Sequence, residues 1–377
     1  MPIRQFNFSI TSGLGDNPLA VILKFLPTIF SGAMCVLGIY AFVHFWNSEA
    51  MVEHRQVPVN AMDVIQGREA LALEEIFKEE FPIRDFATGL MNAISFGIFD
   101  EARKGLVKGS DGWLFSDEEF TWNRESTEAV DHHMALVKET VFDLSHKGIT
   151  VVAVLLPEKA DIYSDRLGRI TPPANRATYY EAIRKRLLAV EHLRVPDLKT
   201  DFMTAKSEGS VFLKADTHWT VFGASVAAEA VAEVLKDTVN LKETAYELKP
   251  QAEIAHKGDL YNFAKFSVFS KYFEQPSEPL TRMDAVAVDL GLDDLFAEGD
   301  GGPEVALVGS SFSANPLWSF EAQLRAATSS DLINLASEGK GPFKPMETFL
   351  EEELDKLTNL KVVVWEIPLR YFDEVSY

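Results

Sequence analysis

Apolar positions along this chain follow three different patterns. The first is an unbroken run, Leu26–Trp46 (LPTIFSGAMCVLGIYAFVHFW), without Asp, Glu, Lys or Arg. A helix of about 20 apolar residues matches a hydrocarbon layer about 30 Å thick, so the run predicts a membrane-spanning helix. Pro27 falls in its first turn, where a missing N–H costs little. Tyr40, His44 and Trp46 lie at its far end, where amphipathic rings favour the headgroup zone. Asn47-Ser48-Glu49-Ala50 offers no small-x-small cleavage site, which predicts an uncleaved signal anchor. Arg4 and Lys24 precede the span, and Glu49, Glu53 and Arg55 follow it. This positive-inside bias puts the N-terminus in the cytoplasm and the remainder outside, in a bacterium the periplasm.

The second pattern has helical period, at Ala61–Glu80, Thr127–His146 (ended by Gly148), Tyr179–His192, Trp219–Leu235, Phe312–Ala327 and Glu347–Leu357. The third consists of strand-like segments: a continuous apolar run at Ile149–Leu156, a short strand at Val195–Leu198, a buried strand at Val305–Val308 and a last central strand at Leu360–Ile367 (LKVVVWEI). Such runs suit parallel strands covered on both faces. A hairpin is expected where apolar residues flank Gly109-Ser-Asp-Gly112. Strands alternating with helices predict an α/β/α sandwich with a mostly parallel sheet. Residues 239–300 break the rhythm and read as loops or an insertion. The resulting plan is a cytoplasmic tail (1–25), a transmembrane anchor (26–47), a helical stalk (48–85) and one catalytic domain (86–377).

Composition narrows the partners. Lys and Arg total 36 against 57 Asp and Glu, a net charge of −21. No basic cluster reverses this locally, so nucleic acid is not an expected partner. The single cysteine, Cys35, lies inside the apolar run, which rules out an internal disulfide and any cysteine zinc site.

Two segments carry candidate chemistry. Val305–Val308 leads through Gly309-Ser310-Ser311 into a helical pattern, and ligands of open α/β sheets collect at such carboxyl ends of strands. A serine there presents its hydroxyl beside backbone N–H groups suited to an oxyanion. The competing reading makes Ser310, Ser311 and Ser313 ordinary helix caps. Asp216-Thr-His218 precedes another helix, and an aspartate two residues from an imidazole can fix its tautomer and stabilise its protonated form. An aspartate cap beside an unremarkable histidine is the alternative. His132 and His133 fall on a polar helix, and His256 is the one serious competitor to His218. Asp216, His218 and His256 also admit a metal site, though no HExxH supports it. Neither a metal nor another cofactor is expected.

The order GSDGWLF, Leu156-Pro157-Glu158-Lys159-Ala-Asp-Ile162-Tyr163, DTHW and GSSFS resembles the alginate O-acetyltransferase AlgJ/AlgX type, over about residues 85–375. These are SGNH-hydrolase-like proteins of exopolysaccharide acetylation. The resemblance implies a catalytic set of Ser311, His218 and Asp216, with Ser310 as the alternative nucleophile one position away. It places Lys159, Tyr163, Ser310 and Arg370 around the substrate; for Arg370 a structural ion pair competes. It further implies an exported polysaccharide as acceptor and a multi-span membrane O-acyltransferase that delivers the acetyl group. Acetylesterase activity with the same residues, or a non-catalytic polysaccharide-binding subunit, are the other functions consistent with the motifs.

Overall fold

The computed structural model describes residues 18–98, 105–122, 126–236, 238–273, 276–288 and 302–374. It divides into two units, one up to Met91 and one from Asn92. Residues 1–17 of the expected tail lie outside the described residues.

The first unit begins with α1 (Pro18–Trp46). Its Phe25–Trp46 stretch, 22 residues, is long and apolar enough to cross a membrane, and nearly all of it is exposed. Its end is tied down by Arg55, which lies 4.5 Å from the Trp46 ring centre and donates to the Trp46 carbonyl at 2.7 Å. Ser48 caps α2 (Glu49–His54). The single helix expected over Ala61–Glu80 is two, α3 (Ala61–Ile65) and α4 (Arg68–Glu80). Gly67 separates them at φ 75°, a left-handed conformation that glycine adopts without steric strain. The helix α5 (Arg84–Ile98) leads into the second unit.

There, β1 (Val107–Lys108) and β2 (Leu114–Phe115) form the expected antiparallel hairpin. The central sheet holds β3 (Thr150–Leu156), β4 (Leu193–Arg194), β9 (Val305–Val308), β10 (Leu332–Asn334) and β11 (Val362–Pro368). Their spatial order is β10-β9-β11-β3-β4, and every pairing is parallel. Alternate residues of β3 feed two cores: Val151, Ala153 and Leu155 face one, Val152, Val154 and Leu156 the other. Side chains of a strand alternate between faces, so a strand covered on both sides must be apolar throughout. That is why β3 from Val151 onward and β9 read as unbroken apolar runs, and why Glu366 is the exception in β11. On one side lie α6 (Ser126–His146), α8 (Tyr179–Leu188) and α14 (Phe343–Thr348). On the other are α9 (Leu198–Ala205), α10 (Val221–Leu235) and α13 (Phe320–Thr328).

Some boundaries move. The strand expected at Val195–Leu198 is Leu193–Arg194, because Asp197 already caps α9 through the Thr200 N–H. The helix expected over Phe312–Ala327 is interrupted. A short α12 (Ser311–Ala314) stops ahead of Asn315-Pro316, whose proline lacks the N–H to continue it, and α13 starts after Ser319 at φ 60°. The helix expected from Glu347 starts earlier, at Phe343. The expected insertion holds two antiparallel ribbons, β5 (Tyr246–Pro250) with β8 (Met283–Ala287) and β6 (Ile254–Lys257) with β7 (Ser277–Leu280). Residues 289–301 of that insertion lie outside the described residues. Two further short helices are α7 (Lys159–Ile162) and α11 (Leu260–Phe263).

Candidate active site

The carboxyl end of β9 releases the chain into Gly309-Ser310-Ser311 and the start of α12. Ser311 Oγ lies 2.8 Å from His218 Nε2, and His218 Nδ1 lies 2.7 Å from Asp216 Oδ1. The structure thus brings together the three residues expected to act together, from segments 93 positions apart. With the Nδ1 proton donated to Asp216, the Nε2 lone pair faces the Ser311 hydroxyl.

A tight loop presents Asp216 and His218. Phe212 and Trp219 form an antiparallel bridge across it, and the Leu213 N–H donates to the His218 carbonyl at 3.1 Å. Asp216 Oδ1 accepts both the N–H and Nδ1 of His218; Oδ2 accepts His256 Nε2 at 2.8 Å and the Asp259 N–H at 3.1 Å. Burial opposes ionisation of this carboxyl, but the hydrogen bonds from His218 and His256 outweigh it and hold Asp216 below the usual carboxylate range. The His218 ring stacks on Trp318 at 4.7 Å between centres and leans on Phe312 at 4.6 Å.

Ser310 is oriented differently from its neighbour. It donates its N–H to Glu366 Oε2 at 2.8 Å, and its hydroxyl also meets the Glu366 carboxylate. Ser313 Oγ donates to the same oxygen at 3.1 Å. The Ser310 hydroxyl therefore faces into the sheet rather than towards His218. Glu366 is fully buried on β11, and burial pushes its carboxyl up to about 7 although Ser310 and Ser313 favour the ionised form. Sequence reasoning missed it. The available signal was a lone acid inside VVVWEIP, where every other side chain is apolar.

The other residues expected around the substrate occupy structural positions. The Lys159 ammonium is wholly buried and donates to the carbonyls of Leu114, Lys214 and Asp216 at 2.6, 2.9 and 3.0 Å. Burial lowers it to about 8. It ties the β1–β2 hairpin to the Asp216 loop, which it supports from behind. Tyr163 accepts the Val211 N–H on its hydroxyl at 3.0 Å, steadying the start of that loop, and its ring packs on Trp113. Arg370 pairs with Glu158 at 2.8 Å and is mostly buried, as the ion-pair reading anticipates. His133, expected on a polar helix, lies on the buried face of α6 against Phe343 and meets the Phe372 carbonyl.

The metal alternative is met by direct hydrogen bonds from both histidines to Asp216. Ligand atoms of Asp216, His218 and Asp259 do lie within 4.8 Å of one another. Both Asp216 oxygens are already taken by N–H donors, however, so an ion there would have to displace them.

Residues 106–369 match the family model described as an SGNH hydrolase-like domain, acetyltransferase AlgX. The chain belongs to this family. It is 37% identical over 314 residues to the Azotobacter vinelandii protein named "Probable alginate O-acetylase AlgJ", covering 82% of this chain and 80% of that one. Among solved structures it resembles the O-acetyltransferase domain of Pseudomonas putida AlgJ, with TM-score 0.66, 34% identity, and 72% and 94% of the two chains covered. Pseudomonas aeruginosa AlgX is more distant, with TM-score 0.53, 26% identity, and 70% and 62% covered. The family carries the SGNH-hydrolase-like fold expected from the motifs.

Proposed function

We propose that the chain is an O-acetyltransferase that moves acetyl groups onto hydroxyls of an exported polysaccharide through an acetyl-Ser311 intermediate. The observation that carries this reading is the hydrogen-bonded line from Asp216 through His218 to Ser311 at the end of β9. Ser311 Oγ attacks the acetyl carbonyl carbon as its proton passes to His218 Nε2, and the donor's leaving group departs with that proton. Asp216 remains ionised and stabilises the imidazolium. The first N–H of α12, from Ser311, has no acceptor among the described residues and is open to the developing oxyanion. A sugar hydroxyl then attacks the acetyl-serine, and its proton returns through His218 to Ser311 Oγ as the ester bond breaks.

The names of the relatives support alginate as the acceptor. A net charge of −21 gives no long-range attraction to a polyuronate, so recognition falls to local contacts. In this reading residues 26–47 anchor the protein in the inner membrane, residues 86–377 work in the periplasm, and a multi-span acyltransferase supplies the acetyl group. Residues 1–25 form the cytoplasmic tail and 48–85 the stalk.

The test pairs Ser311→Ala with the parent protein. Purified parent should cleave a chromogenic acetyl ester and carry an acetyl mass on Ser311, while the variant does neither. Equal turnover by the two proteins sinks the proposal. Incubation with alginate or neutral oligosaccharides, followed by product analysis, separates transfer from hydrolysis and identifies the acceptor.

A further inference from the structure

His256 takes no part in the steps above, yet its ring is bonded to the same carboxylate as His218. It arrives from β6, in a ribbon outside the central sheet. Within that ribbon His256 stands opposite Glu278 in the β6–β7 register. Glu278 in turn accepts the N–H groups of Lys214 and Ala215, the two residues before Asp216. The ribbon therefore grips the Asp216 segment twice, once at its side chain and once at its backbone. The Trp318 ring stacks on His218 at 18° and meets His256 at 88°, fixing both imidazoles against one indole.

A carboxylate turns readily about its terminal torsion. If His218 alone held it, Asp216 could swivel and carry the imidazole with it. His256 Nε2 and the Asp259 N–H on Oδ2 remove that freedom. We propose that His256 is a positioning residue for acetyl transfer: held by the β6–β7 ribbon, it locks Asp216 so that His218 stays aimed at Ser311. This rests on the reading of Ser311, His218 and Asp216 as the reacting set. The role requires an N–H donor at the Nε2 position and no proton exchange by the second imidazole.

The donor requirement can be tested with the full chain and the chromogenic ester. His256→Leu removes the donor at similar bulk, and His256→Gln restores an amide N–H near Nε2. The Leu variant should lose roughly 10- to 100-fold in kcat with KM nearly unchanged, and the Gln variant should recover most of it. Wild-type kcat in the Leu variant overturns the proposal. So does a Gln variant that melts like the parent but is as slow as the Leu variant, because the imidazole itself is then needed. Should the Leu variant melt below the assay temperature, the comparison passes to His256→Asn, whose amide falls short of Oδ2 and should be as slow as predicted for Leu. Ser311→Ala run in parallel separates the two readings: if it stays active, the reaction assignment fails, whereas an inactive Ser311→Ala beside a fully active His256→Leu overturns only the positioning role.

Discussion

Glu366 Oε2 accepts the Ser310 N–H at 2.8 Å, one residue before the serine that meets His218. A fully buried acid on the central strand thus supports the peptide that presents Ser311. Burial raises its carboxyl from 4.5 to about 7. The folded state then holds a proton that the unfolded chain has released, so this group's contribution to stability falls as pH rises through that window. Glu366→Gln abolishes the titration. Its melting temperature relative to the parent should rise between pH 5 and pH 8, by the equivalent of on the order of 1–3 kcal/mol. A difference that stays constant with pH contradicts this account of the site.

The two adjacent serines should separate cleanly. Ser311 is half-buried and its hydroxyl meets only His218 among the described residues, so Ser311→Ala should leave the melting temperature nearly unchanged. It should lower acetyl-ester turnover by at least about 10³-fold. Ser310 is buried, caps α12 and bonds Glu366, so Ser310→Ala should cost about 1–2 kcal/mol and retain measurable turnover. Melting curves and kinetics on both variants would show the reverse pattern if Ser310 were the nucleophile.

Gly309 has no room for a methyl group. A Cβ there would lie 2.6 Å from Glu366 Oε2 and 3.1 Å from Ser313 Oγ. Gly309→Ala should push the Ser310 peptide off the carboxylate and cost about 1–3 kcal/mol. Turnover should fall with it, and normal activity in this variant would show that the elbow yields easily.

Lys159→Met should leave the Leu114 and Asp216 carbonyls without their buried donor, while the Lys214 carbonyl keeps only the Leu114 N–H. Each unpaired acceptor costs about 1–3 kcal/mol, so denaturant melts should show a loss of several kcal/mol, or no soluble protein. Lys159→Arg should not rescue it, because a planar guanidinium does not fit a pocket shaped around a compact ammonium. An active, parent-like Met variant would show that the hairpin and the Asp216 loop hold together without this tie.

The sheet was legible because burial on both faces forces apolar runs, as in β3 and β9, and β11 departs from this only at Glu366. The helix ends were harder to read. Asp197 capping α9 and the Asn315-Pro316 stop depend on local hydrogen bonding and ring geometry that periodicity does not carry. At the site, the Gly309-Ser310-Ser311 and Asp216-Thr-His218 segments were visible as types and spacing, the family resemblance implied Ser311 with His218 and Asp216, and the structure adds their mutual distances. Lys159 and Tyr163 were visible as a pattern, but their direction, inward towards backbone groups, was not. Glu366 and His256 come from segments whose proximity to the serine exists only after long-range pairing, one through the sheet and one through a ribbon.

Strand β11 lies between β9 and β3, although it is the last of the five in sequence. A chain that emerges N-terminus first must therefore keep a slot open in the middle of its sheet until Val362–Pro368 arrives, after the other four strands. Until then the Ser310 N–H lacks the Glu366 carboxylate that accepts it. Truncation ahead of Val362 would remove the middle strand of the sheet together with the carboxylate that holds the Ser310 peptide.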